Sequence, residues 1–546
     1  MRLIDRCNVI WPILTVFAIM LSSCTKVGPD YVRPEASISP NWLDARDVRL
    51  EVDPAKSGAW WEVFNDPVLN RLIERAYHDN LSLKIAGVRV LEARAQLGIT
   101  VGFLYPQTQQ ASGSVTYNRI PSAGGLGSGS TSGVSNTSGS SSSTGSGSSS
   151  GFSYWRDQVG LDVAWEIDFW GRFRRAIESD EANLLSFVAD YDSTLVSLIG
   201  DVASYYVQIR TLEKRLEIAW QNLDIQRESL RIAESRFTGG VSTERDVEQA
   251  KTLLFNTQAA IPTLEAQLQQ AKNALSVLLG LPPGNLADIL AGASGIPAPP
   301  PTVAVGIPAD LLRRRPDVRS AELQAVAQSA QIGVAKADLF PAFSLNGSFG
   351  FVSTDAGRSD LSDMFRWSSR LVSTGPAFQW NILNYGRITN NVRLQDARFQ
   401  ELLITYQNTV LQAQQEVENY LAGFLRAQEN ADSLSQSAQA ARRSLDLAVV
   451  QYQQGSTDFT TVLTAQQALL TAQDSFATAL GAISGNLIGV YRALGGGWEI
   501  RVGDDIISPE IKEVMERRTN WGRLLAPAAY MPPASELGST IRAPDW

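Results

Sequence analysis

LDVAWEIDFWGRFRR (residues 161–175) and FQWNILNYGRITNN (378–391) decide the fold. In the first, Leu161, Val163, Trp165, Ile167 and Phe169 alternate with Asp162, Glu166 and Asp168, which is strand periodicity with an apolar and an acidic face. Gly171 ends the alternation, and the long stretch Gly171–Phe237 contains no proline and reads as helix. The second stretch repeats the joint at one constant spacing: Trp380 stands for Trp165, Tyr385 for Trp170, Gly386 for Gly171 and Arg387 for Arg172.

The repeat extends outward in both directions. Downstream, Phe237 pairs with Tyr452, Gly240 with Gly455 and Gly280 with Gly495 at the same spacing. Upstream, FLYPQTQQASGSV (103–115) matches DLFPAFSLNGSFG (338–350) at a wider spacing. The first copy is therefore the longer one, and the Ser/Gly stretch 124–151 carries the surplus as a loop insertion. Each copy reads as helix, Pro break, strand, loop, strand, Gly, long helix, turn, helix.

The long helices, about 100 Å if straight, keep a heptad. In the first, Leu198, Val202, Tyr205, Ile209, Leu212, Leu216, Ala219, Leu223, Gln226, Leu230, Ala233 and Phe237 alternate steps of four and three, with Gln226 the polar exception. Ala413 to Tyr452 does the same with more alanine. Such a repeat predicts left-handed coiled-coil packing, with hairpins turning at Gly239–Gly240 and Gly455.

Strands are expected near 107–117, 159–169, 342–352 and 371–382. About 10 residues is the length a tilted outer-membrane strand needs. Four strands cannot close a barrel, so a membrane reading requires several chains. On that reading Trp165, Phe169, Trp170, Trp380 and Tyr385 form the girdle at the membrane interface, and the alternating carboxylates face a watery lumen. Arg172, Arg174 and Arg175 are either partners of anionic lipid headgroups or a solvated cluster.

The N-terminus reads as a secretory signal: Arg2 and Arg6, an apolar run Val9–Leu21, then LSSC resembling a lipobox with cleavage and lipidation at Cys24. No later stretch reaches about 18 apolar residues, so any span must come from strands. The net charge of −9 argues against nucleic acid as a partner. With His78 the one histidine, expected on a helix surface, no catalytic triad or histidine metal cluster can form; no enzyme activity, cofactor or metal is expected. IPAPPPTVAVGIP (296–308) reads as an extended linker, and 499–546 as an irregular tail.

Together these features, with CTKVGPDYVRP (24–34), WWEVFNDPVLNRLIERA (60–76), LLRRRPDVRSAELQAVAQSAQIGVAKADLFP (311–341) and ALGGGW (493–498), resemble the outer-membrane factors of tripartite efflux systems. That family is TolC-like, and the chain is most similar to the lipidated NodT/OprM type serving resistance-nodulation-division transporters. The resemblance implies a mainly α fold with β: a homotrimer with a 12-stranded outer-membrane barrel, a 12-helix periplasmic tunnel and a mixed equatorial region. The expected divisions are a signal at 1–23, an extended lipidated segment at 24–70, repeats at 71–284 and 311–498, a linker at 285–310 and the tail at 499–546.

The resemblance also implies a periplasmic adaptor and an inner-membrane transporter as partners, with adaptor docking at the tips around Gly240, Val241, Gly455 and Ser456. It places a gate there, carried over to Asp246 and Tyr452, with an Asp246–Tyr452 hydrogen bond as a latch; the plainer alternative is that Asp246 only caps its hairpin or is solvated there. Thr457 stands where a latch arginine can occur, and Thr461 and Thr464 where aspartates are usual, so cation selection by an acidic ring is expected to be weak. The function expected is a passive exit duct for drugs or other small molecules. Type I protein secretion and heavy-metal efflux are alternatives within the class, and a non-conducting envelope rod is one outside it.

Overall fold

The computed structural model describes residues 26–35, 37–51, 58–120, 152–292, 295–304, 314–355 and 361–526. Cys24 and the apolar run before it, the Ser/Gly stretch 124–151, part of the Pro-rich linker and the end of the tail lie outside the described residues. The chain forms two compact units. One takes in Ile99–Ile177, Gln331–Arg393 and the described residues before Asp30; the other takes in Asp30–Gly98, Glu178–Ala330 and the chain from Leu394 onward. Each unit draws on both sequence copies.

The first unit is built on one antiparallel sheet of β2 (Thr108–Ile120), β3 (Phe152–Ile167), β5 (Ala342–Thr354) and β6 (Arg370–Gln379), in that order. Register preserves the alternation seen in the sequence: Leu161 lies opposite Phe349 and Trp165 opposite Leu345, while Asp162 lies opposite Ser348 and Glu166 opposite Ser344. One face is thus apolar and the other polar. Leu161, Leu345 and Phe349 stay more than two-fifths exposed, and Phe378 is 70% exposed. A sheet with an uncovered apolar face needs a lipid or protein partner.

Strand ends differ from expectation. β3 starts earlier, at Phe152, and stops at Ile167; β6 stops at Gln379. Phe169, Trp170, Trp380 and Tyr385 therefore lie beyond the strands. Asp168 is not a lumen-facing carboxylate either. Its two carboxylate oxygens accept the amides of Phe173 (3.1 Å) and Arg174 (3.0 Å), so it caps the next helix.

In the second unit, α1 (Pro67–Asp79) is capped by Asp66, whose Oδ1 accepts the Val68 and Leu69 amides and whose Oδ2 accepts the Tyr206 hydroxyl. Helices α2 (Leu81–Gly102) and α5 (Pro316–Ala337) precede the two strand pairs, and each pair is followed by a 67-residue helix, α3 (Arg172–Thr238) or α6 (Arg387–Gln453). The return helices α4 (Glu244–Leu278) and α7 (Phe459–Ala493) are 35 residues each. The heptad holds: Val202, Ile209, Leu223, Ala233, Ala413, Val417 and Phe424 are wholly buried, although Phe237 is 45% exposed. Gln226 is buried with both amide atoms unpartnered among the described residues, a cost of the kind that polar core positions bring.

Two features lay outside the sequence pattern. β1 (Leu50–Glu51) pairs in parallel with β4 (Val303–Ala304). The tail is not irregular as far as Ala526: it holds a 3₁₀ turn at Trp498–Arg501 and α8 (Pro509–Arg518). Arg501 is anchored to Asp192 in α3 by a buried two-point ion pair.

Candidate functional site

The strand-to-helix joint is built the same way in both copies. Trp165 Nε1 donates to the Leu104 carbonyl at 3.1 Å, and Trp380 Nε1 donates to the Leu339 carbonyl at 3.0 Å. In each case an indole at or just past the end of the second strand satisfies the carbonyl two residues before the proline that precedes the first strand. Gly171 (φ +76°) and Gly386 (φ +81°) then supply the left-handed turn into the helix. Trp170 donates to Pro341 O at 2.9 Å and stacks on Phe340, while Phe169 packs against Trp170 and Phe343. Tyr385 is 97% exposed, with φ of +50°. Replacing Trp165 or Trp380 by Phe keeps the ring and deletes one donor; each change is expected to cost about 1 kcal/mol, read by denaturant unfolding in mild detergent.

The arginines of the joint have partners within the chain. Arg174 Nε pairs with Asp168 at 3.0 Å, and Arg172 reaches Glu166 (3.4 Å) and Asp338 (3.8 Å). Arg175 is 2% exposed and donates to the carbonyls of Val27 (3.2 Å) and Gly28 (3.4 Å). The headgroup and solvated-cluster readings both fail for Arg174 and Arg175, because intramolecular acceptors take these guanidinium groups. Val27 N in turn donates to Trp170 O at 3.1 Å, so residues 26–28 form a strap across the joint.

At the hairpin tips the two copies end their long helices alike. Val241 N bonds to Arg236 O and Gly240 N to Phe237 O; Ser456 N bonds to Gln451 O and Gly455 N to Tyr452 O. These are Schellman ends, with Gly240 at φ +72° and Gly455 at φ +75°. Val241 is 67% exposed, and Gly240, Gly455 and Ser456 are exposed as well, so both tips present small side chains outward.

The candidate gate residues mostly serve their own helix starts. Asp246 is the third residue of α4 and accepts the Thr243 amide at 3.4 Å, as in a capping box, with Arg245 3.6 Å away. Asp458 caps α7: its Oδ1 accepts the amide (3.2 Å) and hydroxyl (2.7 Å) of Thr461, which hold its carboxyl below the ordinary range. Thr457 donates to Thr461 (3.0 Å), and Thr464 donates back to Thr460 O (2.9 Å).

Tyr452 is buried against Phe459, and among the described residues its hydroxyl has no hydrogen-bond partner. Burial pushes this phenol up, with Arg236 pulling against and Asp246 adding to the rise. The expected Asp246–Tyr452 hydrogen bond is therefore not formed within the chain, because the Asp246 carboxylate is occupied in its cap. Sequence reasoning missed Arg236, which donates to the Tyr452 carbonyl at 2.7 Å and lies over its ring at 4.5 Å. Its place in the last turn of a helix, where cations are favoured, was the available signal. His78 lies exposed near the end of α1, and no metal-binding acidic or histidine group occurs among the described residues.

Paired strands with one apolar face, repeated before two 67-residue helices, define an outer-membrane channel fold. The chain belongs to the outer membrane efflux protein family, which matches residues 72–281 and 307–496, one segment in each copy. It is 31% identical to nodulation protein T of Rhizobium leguminosarum bv. trifolii over 85% of this chain and 92% of that one. It is 32% identical to the solvent efflux pump outer membrane protein SrpC of Pseudomonas putida over 89% and 98%. Among solved structures, the outer-membrane channel OprN superposes with a TM-score of 0.76 at 32% identity, covering 87% of this chain and all of that one.

Proposed function

We propose that this protein is the outer-membrane duct of a tripartite efflux pump of the resistance-nodulation-division type, carrying drugs or other small molecules passively across the periplasm and out of the cell. The observation that carries the reading is the sheet: four strands of 10 to 16 residues with an uncovered apolar face and, among the described residues, unpaired outer edges at β2 and β6. In lipid those edges must be paired. Three copies supply twelve strands and close a barrel, with the polar face of Gln158, Asp162 and Glu166 toward water.

The hairpin tips, at Gly240, Val241, Gly455 and Ser456, face a periplasmic adaptor, and Asp246, Tyr452, Thr457, Thr461 and Thr464 line the closing end. An inner-membrane transporter supplies the energy, and the chain itself catalyses nothing. Cys24 carries the lipid, two residues before a strap already bonded to the joint.

Reconstitution of the full-length protein in planar bilayers tests the duct: discrete current steps support it, and a persistently silent membrane at high protein loading overturns it. Cys24→Ala is expected to remove the acyl chains, seen as a mass loss, and to lower the yield in outer-membrane fractions. Wild-type mass would show that the residue is not lipidated.

A further inference from the structure

We infer that the apolar face of the sheet carries, at the end away from the joint, a site for the phosphate-bearing headgroup of an outer-leaflet lipid, made by Arg370 of one copy and Arg119 of the next. The inference rests on the three-copy duct reading above and names a lipid partner for its seam.

β3 carries an aromatic residue at each end of its apolar face. Trp165 lies near the joint; at the other end Trp155 lies opposite Tyr117, with ring centres 5.2 Å apart, and both are more than two-fifths exposed. Ten residues separate the two tryptophans. That is about 33 Å along the strand, or about 25 Å of height at the ~40° tilt of barrel strands. An outer-membrane barrel has an apolar band of that height, bordered by aromatic residues on both sides. Phe365 (72% exposed) and Trp367 (68% exposed), just before β6, add to the outer border.

The free cations at this level sit on the two edge strands. Arg119, near the end of β2, shares the face of Tyr117 by alternation; it is exposed and has no ion pair among the described residues. Arg370 begins β6 opposite Phe351, on the same face. Its Nη1 donates to Trp367 O at 2.6 Å and its guanidinium lies 4.6 Å from the centre of that ring, which fixes the group while using one of five donors. Nearby acids are engaged or set inward. Asp355 accepts the Trp155 amide at 2.6 Å, Asp363 pairs with Arg366 at 3.0 Å, and Asp157 lies on β3 opposite Val115 and Ser353.

Closing the barrel brings the two edges together in a register that the chain itself supplies. Ala164 and Gln379 hold equivalent places in the two sequence copies and face Thr108 and Ala342. The pairing of β3 with β5 is therefore the pattern for β6 with β2 of the next copy. Asp157 opposite Ser353 becomes Val372 opposite Arg119. Arg370, two residues from Val372, is then the diagonal neighbour of that arginine on the same face, about 7–8 Å away. Two guanidinium groups so placed repel each other unless an anion joins them, and a phosphate accepts from both forks. The uncovered face below, where Val372 is 59% exposed, takes acyl chains. A lipid satisfies both features; free phosphate satisfies one.

The experiment titrates the full-length assembly in mild detergent with lipid A, a glycolipid bearing two phosphates, and with its dephosphorylated form, counting bound lipid by native mass spectrometry. Wild type is expected to hold up to three molecules of the phosphorylated form and to bind the other about tenfold more weakly. Arg119→Gln and Arg370→Gln should each weaken binding about tenfold. Arg156→Gln, on the polar face at the same level, should match wild type. Binding unchanged by both edge variants, or weakened as much by Arg156→Gln, overturns the inference. So does displacement of the lipid by inorganic phosphate, which would make the site one for the free ion. Should one glutamine variant fail to assemble, the other carries the same prediction alone. Arg119→Cys with Val372→Cys is expected to link neighbouring copies by a disulfide on oxidation. Linked chains with lipid binding indifferent to Arg119→Gln and Arg370→Gln would leave the duct standing and the inference wrong. A monomer without links would remove the three-copy reading itself.

Discussion

Arg501→Ala is expected to lower the unfolding free energy by about 3–5 kcal/mol, the usual cost of leaving one member of a buried ion pair alone. Arg501 is 3% exposed and Asp192 is wholly buried. The guanidinium meets both carboxylate oxygens, Nη2 to Oδ2 at 2.8 Å and Nε to Oδ1, and it lies over the Trp498 ring. Removing the cation leaves the buried Asp192 carboxylate without its bonded partner, with Arg319 as the cation still acting on it, and it releases the segment around Trp498–Arg501 from α3. Denaturant unfolding of the full chain in mild detergent should show the loss, with faster trypsin cleavage beyond residue 501. The double variant Asp192→Leu with Arg501→Met removes both charges and should recover much of the stability. An unchanged midpoint for Arg501→Ala would mean that the pair contributes nothing net.

Gly333→Val is the second large effect. Gly333 lies in α5 against the strap, and an added Cβ would stand 2.7 Å from Val27 O and 2.9 Å from Arg175 Cγ. From the other side, Gly28 adopts φ +106°, and its own added Cβ would meet Gly333 Cα at 2.5 Å. Neither chain can give way without parting the strap from the joint. Overpacking of this kind costs about 1–3 kcal/mol, and Arg175 would remain buried without its two carbonyl acceptors. The expected result is a lower unfolding midpoint together with new trypsin cleavage after Lys26. Gly98→Ala serves as the control, because its added Cβ meets nothing within 4 Å; it should be neutral or slightly stabilising, as alanine is in a helix. If Gly333→Val leaves Lys26 as protected as in the wild type, the strap does not depend on that close approach.

Periodic features were legible in the sequence, and contacts at long separation were not. The glycine joints and the proline-free stretches after them located both long helices to within a residue, and the heptads from Leu198 and from Ala413 identified their packed face. Alternation located the strands, but their ends were misplaced where Asp168 left the ladder to cap a helix. β1 and β4, at two residues each, are too short to carry a period. Arg175 looked like a surface cation because its acceptors, at Val27 and Gly28, are far away along the chain. Asp246, Tyr452, Thr457, Thr461 and Thr464 lie beside the hairpin turns, but their hydrogen bonds were not legible in the sequence. Asp246 and Asp458 each found a nearer use at a helix start, an economy that local spacing permits and a distant tyrosine cannot match.

The paired indole bonds, Trp165 to Leu104 and Trp380 to Leu339, set what the connections between the strands are free to do. The two bonds span different numbers of residues, yet they join corresponding atoms of corresponding corners. A corner pinned by its own bond fixes how each strand pair meets its long helix, so the connection at the far end of the strands is free to differ in length between the copies.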